Sequence, residues 1–131
     1  MKRIIVVFFS IFFFFVFHPS AFADEKFSIS SNSSFSVHEN TVTQVTQQIS
    51  ITNNTEYYYT PSYGMTIGYK DIENISVRGP NGAIPFTTSD TEEGKKIDIT
   101  FNDRIVGLNR QNTFTVIFSS KEIAHKNGSI W

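Results

Sequence analysis

The sequence predicts an all-β domain, a two-sheet antiparallel sandwich of immunoglobulin-like type with about seven short strands behind a helical leader. Two observations carry this. Apolar residues recur with a period of two along most of residues 24–131, and turn-forming clusters separate the runs at regular intervals. Alternation of this kind sets one side of each strand against a core and the other in water.

The first run contains Phe27, Ile29, Phe35 and Val37 on one parity, with Ser31 and Ser33 between them. Val45, Ile49 and Ile51 share a face opposite Gln, Ser and Thr. Tyr57, Tyr59, Tyr63, Met65 and Ile67 continue odd parity across Pro61. A proline cannot donate to a strand ladder, so this stretch is either two strands joined by a bend near Thr60–Ser62 or an edge segment; the bend is preferred. Ile75 and Val77, then Ile84 and Phe86, make two short runs. Ile97, Ile99 and Phe101 alternate with Asp98 and Thr100, and Phe114, Val116 and Phe118 alternate with Thr115 and Ile117. Ile49, Ile99, Phe114 and Phe118 are the residues on which an inward face is most firmly predicted.

The punctuation agrees. "HENT", "TNNTE", "GPNG", "EEGK" and "GLNRQN" fall between the runs and hold residues that favour turns. Gly82 in "RGPNGA" and Gly94 in "TEEGKK" are each placed to take a positive φ, the second in a hairpin loop. Only "SSKEIAHKNG" reads as a helical turn, opened by Ser120 and closed by Gly128.

The opening "MKRIIVVFFSIFFFFVFHPSAFA" has the three parts of a secretory signal. Lys2 and Arg3 are followed by an apolar run from Ile4 to Phe17, then by small residues at Ala21 and Ala23, the positions a signal peptidase reads. An uncleaved anchor is the alternative, but a run of 14 residues is short of the roughly 20 that cross a bilayer. Export to the extracellular space or cell envelope is therefore expected. Without residues 1–23 the 131-residue chain is left with 108, one domain's length. Without Lys2 and Arg3, nine of the 11 basic residues face all 12 acidic ones, a net charge near −3. No basic cluster is left for nucleic acid.

The chain has no cysteine. That excludes disulfides, a thiol nucleophile and Cys-ligated metal, so an exported domain of this size must rely on its core. Beyond the leader there are two histidines, His38 and His125, neither with a second at ligand spacing. No Gly-x-Ser-x-Gly, Ser-x-x-Lys or phosphate-loop motif occurs. Asp71, Glu73 and Asn74, and also Asp90, Glu92 and Glu93, are grouped, but without the spacing of a calcium loop they read as solvated turns. No catalytic residue, metal or cofactor is expected, and the chain reads as non-enzymatic. Asn-x-Ser/Thr sites stand at Asn32, Asn53, Asn74 and Asn127, which a chain so rich in these residues produces by chance. Among the five tyrosines of 57–69, Tyr58 lies off the core parity and Tyr69 lies at a strand end. These two are the candidate contacts for a glycan, whose flat C–H faces stack on exposed rings; buried rings with hydroxyls at the rim are the competing reading.

The segments "VTQVTQQISITNNTEYYYTPSYGMTIG", "IENISV", "GAI", "ITFNDRIVGLNRQNTFTVIF" and "IAHKNGSIW" together resemble the N-terminal non-catalytic domain of exported bacterial proteins that carry a transglutaminase-like domain further along. The resemblance spans roughly 25–131. It implies a spacer or interaction module of a cell-envelope protein, with a protein or envelope partner. In that family the "NG-x-IW" segment resembles the opening of a further strand, so Trp131 reads as the first core residue of a missing last strand. A terminal Trp that caps the core is the alternative. A sandwich lacking that strand would expose unpaired backbone groups and is expected to be marginally stable or to self-associate through an open strand edge. The other functional reading is a self-sufficient secreted module that binds glycan through exposed tyrosines.

Overall fold

The computed structural model describes residues 25–125. The proposed leader with Ala21 and Ala23, and the ending with Asn127, Gly128 and Trp131, lie outside the described residues. Eight strands form in the order β1 Phe27–Val37, β2 Thr43–Asn53, β3 Ser62–Ile67, β4 Glu73–Gly79, β5 Gly82–Ala83, β6 Phe86–Thr91, β7 Gly94–Thr100 and β8 Gln111–Ser120. They build two antiparallel sheets, one ordered β1-β2-β8-β4-β5 and one ordered β3-β7-β6. The predicted two-sheet sandwich is thus the fold, with the two-residue β5 added to the expected seven strands. Among the described residues there is no helix, and 121–125 form bends and irregular backbone where a helical turn was expected. β8 runs on through Ser120, which pairs with Thr43, so the residue expected to open that turn is instead held in the sheet.

Register explains the core. Val45 sits opposite Phe118, and Ile49 opposite Phe114. Val116 sits beside Val77 on the other flank. Facing them, Tyr63 is opposite Ile99 and Met65 is opposite Ile97. Partners across a ladder project to the same side, so these rows form two apolar faces that close on each other. Ile49, Ile97, Ile99, Phe114, Val77 and Val116 are fully buried, and Phe118 nearly so. The Phe114 ring lies 5.6 Å from Tyr63 and 5.3 Å from Phe101, in tilted and edge-on geometries that suit the ring quadrupoles.

Both turn glycines take the expected conformation, with φ of +117° at Gly82 and +143° at Gly94. Gly94 closes a two-residue hairpin loop in which Thr91 pairs with it across β6 and β7. Pro61 ends an irregular loop, and β3 starts directly after it at the edge of the smaller sheet. The missing N–H of proline costs nothing there.

Two predicted inward faces are corrected. Tyr57 was placed on the core parity, yet it is 84% exposed, because residues 54–61 form no strand and parity does not propagate through a loop. The second correction concerns β1. Only Phe27 packs against the core, whereas Ile29, Phe35 and Val37 are 57%, 62% and 43% exposed. β1 pairs with β2 in unbroken register, and its odd residues share the face of Val45 and Ile51. However, β1 is the outer strand of a five-stranded sheet that faces a sheet two strands narrower, so among the described residues the apolar side of β1 has no layer above it.

Candidate functional site

The two tyrosines singled out from the sequence are both exposed, but the fold does not bring them together. Tyr58 lies before β3 and Tyr69 after it. The six-residue strand between them is roughly 20 Å long at about 3.3 Å per residue. Tyr58 belongs to a loop organised by Asn53, which is buried at the end of β2. The Asn53 side-chain amide donates to the Tyr58 carbonyl at 2.5 Å. Its side-chain oxygen accepts from the Thr55 N–H at 2.9 Å and the Thr55 hydroxyl at 2.7 Å. With both amide atoms engaged inside the protein, Asn53 is not placed to carry a glycan, whereas Asn32 and Asn74 are exposed.

The Lys26 ammonium lies 4.1 Å from the centre of the Tyr58 ring. The Arg104 guanidinium lies 5.3 Å from that of Tyr59, which is half-buried. A ring face covered by a cation is not open for stacking on a sugar, so Tyr57, the most exposed ring of the loop, is the better stacking surface there. Sequence parity missed it. At the far end, Tyr69 is followed by Lys70, whose N–H donates to the Glu122 carboxylate at 3.0 Å.

One aspartate of each acidic group is used within the fold. Asp71 accepts from the Ser120 hydroxyl, and from the Lys121 N–H at 2.8 Å. Desolvation is the largest single influence and pushes its carboxyl up, but the Ser120 hydroxyl, the Lys121 and Glu122 amides and the Lys121 charge together outweigh it and hold the group below its ordinary value of 3.8. Asp90 forms an ion pair with Lys95 at 2.7 Å, and that hydrogen bond and charge hold its carboxyl low. Among the described residues, no three His, Cys, Asp or Glu side chains gather as a metal set.

Asp71 fastens the chain before β4 to the end of β8. A depressed carboxyl favours the fold above its ordinary value and loses that contribution as pH falls through the lower value of the folded state. Replacing Asp71 by Ala should therefore cost about 1 kcal/mol at neutral pH, the scale of partly exposed charge-assisted hydrogen bonds. The difference from wild type should vanish well below pH 3.8. Urea titrations of both proteins at the two pH values check this, and an undiminished gap in acid would mean that Asp71 acts through packing instead.

A cleft of about 220 Å³ lies between the β4–β5 turn and the segment after β7, lined by residues that include Pro80, Ile84, Phe101 and Asp103. It is smaller than the roughly 300–1,000 Å³ usual for small-molecule sites, and Asn81 already donates across it to Asp103 at 3.2 Å.

The most distinctive surface is β1 itself. Among the described residues nothing pairs with its outer side, and it carries no charge, no proline and no break in register. Natural sheet edges usually carry one of those protections. The sequence held a sign of this exposure in Ser31 and Ser33, which share the parity of Ile29 and Phe35 and would be poor core residues. Compared with known proteins, the chain matches no family model and no curated sequence.

Proposed function

We propose that this chain is a non-enzymatic contact module of an exported cell-envelope protein, working through the open edge and uncovered apolar face of β1. The single observation behind this reading is the exposure of Ile29, Phe35 and Val37 along a strand whose outer edge has no partner among the described residues. Exposed apolar surface on an unguarded edge is a common basis for protein contact. The three-part opening of the sequence, with Ala21 and Ala23 at the cleavage positions, supports export. The strand segments that resemble the N-terminal domain of transglutaminase-like proteins support a spacer or presentation role beside a catalytic domain.

The test follows a tagged chain in a bacterial host. The expected result is a mature N-terminus at Asp24, with the protein in the envelope fraction. Phe35→Lys should shift it to the soluble exported fraction without lowering its melting temperature, because Phe35 is exposed. Retention in the cytoplasm, or identical partition of wild type and variant, would refute the reading.

A second reading, a glycan-binding module, is favoured by the exposed Tyr57 at one end and Tyr69 at the other. Binding on a glycan array that is lost with Tyr57→Ala or Tyr69→Ala would establish it in place of the first.

A further inference from the structure

We infer that β1 is a homodimerisation strand, which pairs antiparallel with β1 of a second copy about a two-fold axis through Asn32. The inference deepens the contact-module reading and rests on it for its biological setting, but the pairing itself stands on the geometry of this strand.

The backbone fixes which groups are free. The Lys26 carbonyl accepts from the Asn54 N–H, and the His38 N–H donates to the Val42 carbonyl, both at 2.9 Å. Between these two points β1 and β2 stay in register without a bulge. Backbone groups of an antiparallel strand point alternately to either side, so the even residues turn theirs to β2. The odd residues Phe27, Ile29, Ser31, Ser33, Phe35 and Val37 turn theirs outward. Eleven residues make a free edge roughly 36 Å long.

The side chains fix the partner. β1 reads FSISSNSSFSV. Reversed about Asn32, Phe27 meets Val37, Ile29 meets Phe35, and each of the six serines meets a serine. Because the axis passes through an even residue, odd residues meet odd residues, and the outward backbone groups of the two copies face each other as hydrogen-bonded pairs. The apolar pairs fall on the inner side of the sheet, where Ile29, Phe35 and Val37 are uncovered. Cross-strand apolar pairs and serine pairs each favour the ladder. The strand carries no charge that would oppose its own copy.

An isologous contact sets each residue against its counterpart across the axis, and here the mirrored order makes every such pair apolar with apolar or serine with serine, apart from Asn32 on the axis. The contact also closes on itself. At the other end of the same sheet stands β5, two residues long, which is too short to continue the ladder into a fibre. With one strand pair and a narrow apolar strip, the dimer belongs with interfaces at or below the roughly 1,200 Å² lower bound of stable complexes, and its affinity should be micromolar.

The absence of cysteine makes the register testable in the full chain. In the proposed ladder Asn32 faces its own copy as a non-hydrogen-bonded pair with Cα atoms about 4.5 Å apart, within the roughly 4.4–6.8 Å that a disulfide spans. Asn32→Cys should therefore give a disulfide-linked dimer on mild oxidation. Ser30→Cys should not, because its twin lies four residues out of register, roughly 13 Å along the strand. Asn32→Lys and Asn32→Asp should each raise the dissociation constant about tenfold by setting like charges face to face, and an equimolar mixture should recover association. Both variants are on an exposed position, and unchanged melting temperatures would show that they fold.

A monomeric Asn32→Cys protein, equal cross-linking of Ser30→Cys, or no recovery on mixing would each overturn the inference. The contact-module reading fails separately. It falls if the tagged chain stays in the cytoplasm, even where the purified protein dimerises. It survives a failed cross-link if Phe35→Lys still releases the chain from the envelope.

Discussion

Phe114→Ala is expected to destabilise the domain by about 3–5 kcal/mol, the cost of removing a large aromatic side chain from a packed core. Against a total stability of about 5–15 kcal/mol, that loss is a large share of what keeps the domain folded. The reason is positional. Phe114 is 1% exposed, lies opposite Ile49 in the five-stranded sheet, and meets Tyr63 and Phe101, which come from β3 and from the end of β7 in the other layer. Truncation would open a cavity between the sheets, bounded by side chains held on rigid strands that cannot collapse into it. Urea unfolding of the purified domain measures the effect. Leu108→Ala, at an exposed loop position, is the control and should cost less than about 0.5 kcal/mol. Comparable losses at the two positions would mean that the inward face of β8 has been assigned wrongly.

Gly94→Ala should be the other severe change, with a loss of at least about 3 kcal/mol and disruption of the β3–β7 pairing. Two costs combine at this position. Its φ of +143° is one that side chains rarely adopt, and a Cβ placed there would lie 2.0 Å from the Ile67 carbonyl oxygen, well inside van der Waals contact. The obstruction is backbone of the neighbouring strand, so relief requires β3 to move away from β7, where Ile67 sits opposite Lys95. Gly82→Ala separates the two costs. Gly82 also has positive φ, but nothing lies within 4 Å of its Cβ position, so only backbone strain of roughly 1–2 kcal/mol applies. Thermal melts of the two variants should differ by at least about 4 °C, since 1 kcal/mol shifts the midpoint of a domain this size by roughly 4–8 °C. Equal melts would show that the close approach to Ile67 does not decide the role of this glycine.

The two glycines show how far sequence reading reaches. Turn chemistry predicted positive φ at both, because only the local dipeptide conformation was involved, and both adopt it. That one is jammed against a carbonyl while the other faces open space depends on where β3 comes to lie, and no local pattern carries that. Asn53 makes the same point. The string Asn53-Asn54-Thr55 matches a glycan-acceptor pattern that chance also produces, and only the folded loop shows the Asn53 amide buried and bonded to Tyr58 and Thr55.

The fold class and the inward residues of β2, β7 and β8 were determined by the sequence alone, since alternation of apolar and polar residues is sufficient to orient strands that are covered by a second layer. Which strands receive that cover was decided only by the tertiary structure. Strand order and sheet width set it, and both depend on pairing between residues far apart in the chain. β1 alternates as the core strands do, but it falls at the rim of the wider sheet. The same period that buries Ile49 and Phe114 leaves Ile29 and Phe35 in solvent, and the exposed apolar strip of β1 arises from that mismatch in width.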